Sequence, residues 1–351
     1  MPIKDGLRTL LPRRIAMRLA ALKVGVQAKF RTVGPPPFWF YAWKLRKYMN
    51  RPEEIAIEVT STCDADCIMC PRRSMRRKQG PMELNLFRKI IDEAASMKVP
   101  YYSLNGYGEI STLRNYRDYL SYLRNKAPKA CININTNGMR MFEEMANDYV
   151  RFKVDVVNIT IDGATAETYE SIRRYLKLEQ VESNVRRLIA IRDRQRANRP
   201  VVQVGIIGMP QNAHEIAAFR KKWMGVADSV VVSGIVSRLG SISFVNIADS
   251  NWQSTPCFYL WSQLPVLSDG TAALCCDDWD GVAPMGNLYS STIREIWMCE
   301  FRKKLRTLHL AGKAGTIPAC QACRQPREGP WWFANGVSGE RTTPVSIPGG
   351  G

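Results

Sequence analysis

The sequence predicts an α/β protein: a partial, open (β/α)6 barrel of the TIM type with a small cysteine-rich α+β extension at the C-terminal end. Three observations predict it. Six β-branched runs alternate with helical patterns between residues 55 and 232, which implies a parallel sheet with right-handed crossovers. Six such units fall short of the eight that close a full barrel. From about residue 250 the alternation gives way to turns, short strands and a further set of cysteines.

The elements follow in order. Residues 1–52 form a basic N-terminal segment. Pro12 stands at a helix start, and Ile15, Leu19, Leu22 and Val26 follow at helical spacing with Arg18 and Lys23 between them. A basic amphipathic helix of this kind packs on its own domain or lies on a membrane interface. Gly34 and three prolines then break the chain before the aromatic cluster Phe38, Trp39, Phe40, Tyr41 and Trp43. The barrel occupies residues 53–250. Its strands are expected at 55–60, 101–104, 131–135, 154–161, 201–207 and 229–232, with helices at 84–97, 116–125, 181–194 and 215–224 among the connections. Residues 251–325 make the cysteine-rich extension. Residues 326–351, rich in Gly and Pro, form an irregular tail that tucks back through Trp331, Trp332 and Phe333.

Composition narrows the function. With 45% hydrophobic and 23% charged residues, the chain has an ordinary globular balance. No apolar stretch approaches the roughly 20 residues of a membrane-spanning helix. Ten cysteines without a signal peptide argue against a disulfide framework and for metal-bound thiolates in a reducing cytoplasm. The net charge is +18, and residues 1–50 carry eleven Lys and Arg against one acid. Such an arm favours an anionic partner, whether a phospholipid surface, a nucleic acid or an acidic protein; for a cytoplasmic protein the first is a peripheral contact at the inner membrane face. A second basic run, Arg72, Arg73, Arg76, Arg77 and Lys78, suits an anionic substrate or is solvated surface charge.

Cys63, Cys67 and Cys70 stand in a Cys-x-x-x-Cys-x-x-Cys run after the first strand. Sites in parallel α/β sheets gather at the carboxyl ends of strands. Three clustered thiolates leave one iron of a 4Fe–4S cluster open. They also serve zinc, which wants a fourth ligand or a water, and the two histidines, His214 and His309, are distant in sequence. A second set comprises Cys257, Cys275, Cys320 and Cys323, with Cys131, Cys276 and Cys299 left over.

From residue 53 to 325 these features resemble the radical S-adenosylmethionine (SAM) superfamily. The resemblance implies that Cys63, Cys67 and Cys70 hold a 4Fe–4S cluster whose open iron is chelated by SAM. It places the backbone of Met69 near the adenine. Asn105-Gly-Tyr-Gly108-Glu109 is similar to the family's Gly-Gly-Glu motif, with a tyrosine separating the glycines, so that Gly108 and Glu109 approach the SAM amino group. Asn135-Thr136-Asn137-Gly138 resembles its Thr-Asn-Gly turn. Thr160-Ile-Asp162-Gly163 resembles the fourth-strand segment that meets the ribose, and Arg173 is then the partner of the SAM carboxylate. Ile207 falls at the adenine contact of the fifth strand. The second cysteine set, with Ser268-Asp269-Gly270, Gly286-Asn287-Leu288 and the helix ending at Trp297, resembles the family's auxiliary-cluster extension, SPASM or twitch. It implies one auxiliary 4Fe–4S cluster on Cys257, Cys275, Cys320 and Cys323. Cys275 and Cys276 are adjacent, so either serves.

The resemblance implies reductive cleavage of SAM and hydrogen abstraction from a substrate. The reading favoured by the sequence is dehydrogenation or epimerisation of a polar, anionic or carbohydrate-like small molecule, with Cys276 or Cys299 as hydrogen donor. The alternative is a peptide-modifying maturase. A one-electron donor such as flavodoxin or ferredoxin is a further expected partner. A zinc-bearing nucleic-acid binder has only net charge in its favour, and no nucleic acid is expected.

Overall fold

Nine strands form one sheet in the computed structural model, which describes residues 45–235, 256–321 and 323. The N-terminal helix, the aromatic cluster, nearly all of the basic arm and the C-terminal tail lie outside the described residues. Six strands run parallel in chain order: β1 (Glu54–Ile57), β3 (Tyr101–Leu104), β4 (Cys131–Thr136), β5 (Val156–Thr160), β7 (Val201–Gly208) and β8 (Ser229–Gly234). The partial barrel is therefore present, each strand beside its predecessor. Two short strands, β2 (Asp66–Cys67) and β6 (Arg173–Arg174), pair separately.

One face of the sheet is apolar because alternate residues share a face. Ile132, Ile134, Val157, Ile159, Val202 and Val204 are fully buried. The connections include α1 (Leu84–Ser96), α2 (Tyr116–Lys126), α3 (Glu143–Arg151), α4 (Ala166–Ile172), α5 (Leu178–Arg194) and α6 (Ile216–Trp223). Helices α3 and α4 are additions to the expected set. Helix α3 buries Met145, Ala146, Tyr149 and Val150 along one stripe, a pattern its acidic start masks. Helix α4 begins where Thr165 accepts a hydrogen bond from Thr168 N.

Strand β1 is shorter than expected. It ends at Ile57 instead of Thr60, because the backbone of Glu58 donates to Val266 and that of Val59 accepts from Met82. Cys63 therefore follows a longer excursion from the strand end.

The C-terminal segment continues the same sheet. After α7 (Tyr259–Ser262), β9 (Gln263–Val266) pairs in parallel with β1, Glu54 opposite Gln263 through Ile57 opposite Val266. Then β10 (Thr271–Ala272) and β11 (Gly286–Asn287) extend it antiparallel. Helices α8 (Ile293–Met298), α9 (Glu300–Leu310) and α10 (Pro318–Gln321) complete the segment. A reciprocal capping box between Thr292 and Glu295 starts α8. Among the described residues no helix is long and apolar enough to cross a membrane.

Candidate active site and auxiliary cysteine centre

The loop carrying Cys63, Cys67 and Cys70 is tied down on several sides. Cys67 pairs with Arg173 and Asp66 with Arg174 in the β2–β6 ribbon, and Ile68 N donates to Ile172 O. Asp64 accepts from Asn137 Nδ2 (2.8 Å) and Arg140 Nε (2.9 Å). The three thiols are half-buried and free. Burial pushes Cys63 up to about 12, and Cys67 also rises through burial, opposed by the Arg173 charge. Thiols held neutral this way ionise when a cationic metal takes the proton's place. Among the described residues no three His, Cys, Asp or Glu side chains close on a single ion. Three free thiols on one anchored loop fit as donors to a larger iron–sulfur cluster.

The remaining motif residues hold one another. Glu109 is buried; it accepts from Thr136 Oγ1 (2.7 Å), Asn137 N (2.7 Å) and Ser111 N (3.2 Å). Its carboxyl is nonetheless pushed up by desolvation, which these bonds oppose. A Cβ on Gly108 would collide with the backbone of Thr60 and Ser61, and one on Gly106 with the Glu58 side chain. The glycines thus admit the chain that leads into the cysteine loop. Asp162 is fully buried; it accepts from Arg173 Nε (2.7 Å) and Ile207 N (2.8 Å). Arg173, expected opposite a SAM carboxylate, is here engaged by Asp162. Met69 packs with Ile172 and Met209, and Ile207 borders the same small apolar cluster, so the two positions expected near the adenine come together. Thr160 ends β5. Asn135 lies on the open face of the sheet, where its Oδ1 accepts from Asn158 Nδ2 (2.7 Å).

The second basic run is partly engaged by the chain itself. Arg72 donates to Ala65 O, Arg73 pairs with Asp66, and Arg77 is buried against Glu58 (2.7 Å) while its Nε donates to Trp279 O. Three of its five cations therefore bind the chain itself, because the loop carbonyls and acids they meet are buried. Arg73, Arg76 and Lys78 keep exposed side chains, Arg73 while paired with Asp66.

Sequence reasoning missed how closely the two cysteine regions are joined. Glu58 accepts from Arg77, from Tyr107 N and from Ser268 N. The Tyr107 hydroxyl donates to Cys276 O (2.8 Å). The tyrosine between the glycines is thus the link to the second set. Cys275 is pushed well up by burial, with Cys276, Asp277 and Cys257 as further raising charges. His309 Nδ1 accepts from Cys257 N (3.2 Å), which assigns the ring proton to Nε2, 3.6 Å from Cys320 Sγ. Cys257, Cys275 and Cys320 are therefore gathered, and Cys323 N donates to Cys320 O. Of the two candidate hydrogen donors, Cys276 borders the Gly-Tyr-Gly motif, whereas the Cys299 sulfur caps α9 by accepting from Arg302 N.

The two cysteine regions, one at the mouth of a half-barrel and one beside it, are joined through Glu58 and Tyr107. Two family models match in tandem and together span most of the chain: the radical SAM superfamily over residues 57–222 and an iron–sulfur cluster-binding domain, SPASM, over 257–324. The chain belongs to the radical SAM superfamily and carries a C-terminal SPASM domain. It is an enzyme that uses SAM, a 4Fe–4S cluster and an auxiliary iron–sulfur cluster. It is similar to the tungsten-containing aldehyde ferredoxin oxidoreductase cofactor-modifying protein of Pyrococcus furiosus, with 23% identity over 51% of each chain. It is also 30% identical to the mycofactocin maturase MftC of Mycobacterium tuberculosis, over 36% of this chain and 31% of that protein. These matches span about half or less of the relatives' length. Among solved structures, Streptococcus suis SuiB bound to precursor peptide SuiA has the same fold, with a TM-score of 0.62 and 12% identity over 75% of this chain and 69% of that one.

Proposed function

We propose that this chain is a radical SAM maturase acting on a peptide. Cys63, Cys67 and Cys70 would hold the catalytic cluster, and Cys257, Cys275, Cys320 and Cys323 the auxiliary one. With these groups bound, reductive cleavage of SAM supplies a 5′-deoxyadenosyl radical that takes a hydrogen atom from the substrate. The chain's own residues orient the reactants. Arg173 and Asp162 offer a charge pair at the SAM position, and the apolar cluster of Met69, Ile172 and Met209 offers a wall for the adenine.

The observation that carries the peptide reading is a row of amides on the open face of the sheet. Asn135, Asn158 and Gln203 stand in register across β4, β5 and β7, and Asn133 pairs with Ser103 one step away. Asn158 donates to Asn133 and Asn135 (both 2.7 Å), which fixes the orientation of the row on that face. Backbone N–H and C=O groups of an extended peptide satisfy such a row. The maturase among the relatives, and SuiB bound to its precursor peptide among the structures, support the same substrate class. Of the five cations that would suit a small anionic substrate, Arg72 and Arg77 are bonded internally. A one-electron donor such as flavodoxin or ferredoxin, in a reducing cytoplasm, completes the reading.

The test is anaerobic reconstitution followed by incubation with SAM, dithionite and either a random-sequence peptide pool or a sugar-phosphate pool. About eight irons and 5′-deoxyadenosine formation are expected, lost when Cys63, Cys67 and Cys70 are all changed to alanine. Peptides should raise nucleoside release and lose mass or change retention. Stimulation by the sugar pool alone would return the carbohydrate reading, and a colourless zinc protein would end both.

A further inference from the structure

Helix α9 buries a charged stripe beside its apolar one. Its Phe301 is 47% exposed, while the neighbouring Arg302 is 0% exposed and Arg306 2%. His309, on the same face at the i, i+4, i+7 spacing, is 1% exposed. An exposed phenylalanine beside two buried arginines reverses the usual preference.

Among the described residues the arginines meet carbonyls and not acids. Arg302 donates to the carbonyls of Leu260 (3.1 Å) and Gln263 (2.9 Å), and Arg306 to that of Leu260 (3.1 Å). Both guanidinium groups lie over the Trp297 ring, at 3.9 and 4.7 Å. Neither has a carboxylate partner among the described residues, and one nitrogen of each, Arg302 Nη1 and Arg306 Nη2, is buried without any hydrogen-bond acceptor. A buried cation without a counter-charge is strongly unfavourable, and here two adjoin. Desolvation and the mutual repulsion of the pair pull Arg302 well below its ordinary range, and Arg306 falls to about 10. Leu260, the acceptor the two arginines share, donates its own N–H to Cys257 O (3.2 Å), so the pair reaches the auxiliary set through one residue. At the far end of the same face, His309 Nε2–H points to Cys320 Sγ.

We propose that this face of α9 is the counter-charge of the auxiliary centre. Arg302 and Arg306 balance an anionic iron–sulfur cluster on the neighbouring thiolates, and His309 donates a hydrogen bond to one of its sulfurs. A cubane with four thiolate ligands carries net negative charge, and cations and hydrogen bonds near the sulfurs raise its reduction potential. These are positioning residues: they touch the cluster's surroundings and not the substrate. The inference rests on the second cysteine set holding a cluster.

The test compares the metal-free and reconstituted chain, with Arg302→Met, Arg306→Met and the double variant, chosen because methionine fills similar space without charge. In the metal-free chain the double variant should raise the urea midpoint, since an uncompensated charge pair is gone. In the reconstituted chain it should speed iron loss to a chelator about tenfold and lower the auxiliary midpoint potential, followed by electron paramagnetic resonance. The SAM-cluster signal should not move. His309→Phe should shift the potential in the same direction with a smaller effect on stability. A purely structural role for the arginines predicts loss of stability in both forms with an unchanged potential, and that result overturns the proposal. The iron count of the parent chain separates the two failures. About eight irons with an unmoved potential defeats the counter-charge, whereas about four shows that no second cluster exists and removes the reading beneath it.

Discussion

At the scale of single residues, the cysteine spacing is the most legible feature, because a ligand set is written directly in side-chain identity. The support around it is less so. Glu58 and Tyr107 look like ordinary strand-end and loop residues, yet each bonds to both cysteine regions. Their partners lie some 170 to 210 positions away in sequence, beyond the reach of local periodicity. Gly108 was legible as a glycine needed for close approach, although the group that approaches is the Thr60 backbone. A methyl there meets main chain that has no room to yield. Gly108→Ala should therefore destabilise the metal-free chain by about 3 kcal/mol, measured as a urea midpoint. A cost below about 0.5 kcal/mol, the range of an indifferent surface change, would show that the two loops move apart freely.

At the scale of elements, the strands were legible from β-branched runs, and the helices with strong apolar stripes from their period. Helix α4 was not, since it is short and its stability comes from elsewhere. Glu215, just before α6, accepts from Ala164 N (2.5 Å), Thr165 N, Thr165 Oγ1 (2.5 Å) and Thr168 Oγ1 (2.8 Å). This carboxylate does for the α4 N-terminus what a capping residue does locally. Desolvation raises Glu215, but the hydrogen bonds outweigh it and the carboxyl lies below its usual 4.5. A depressed carboxyl stabilises the fold above its unfolded value, and that contribution disappears as pH falls through the folded one. Stability of the parent chain should thus decline as acid is added below about pH 4.5. Glu215→Gln should be less stable at neutral pH and show a shallower acid dependence. An identical slope in both proteins would assign the acid sensitivity to other carboxyls. Helix α9 illustrates the opposite case: its period is clear, but hydrophobicity alone misses the charged stripe it buries, because the deciding partner is a metal centre and not the core.

At the scale of the whole molecule, a barrel followed by a separate extension was the natural division of the sequence. The sheet is continuous across that division. Strand β9 covers the edge of β1, which would otherwise present unpaired backbone groups. A chain ended after residue 250 should therefore aggregate or remain partly unfolded, and the full metal-free chain should melt in one transition. A soluble truncated barrel with native-like circular dichroism would show that β9 is an addition to a finished unit. The same pairing sets an order of events during synthesis. Residues 54–57 wait for residues 263–266, and at about 5–20 residues per second the ribosome takes roughly 10–40 s to deliver them. Through that interval the loop bearing Cys63, Cys67 and Cys70 hangs from a strand with one neighbour missing. Insertion of the iron–sulfur cluster is therefore best timed after release, and the nascent chain is a natural client for chaperones.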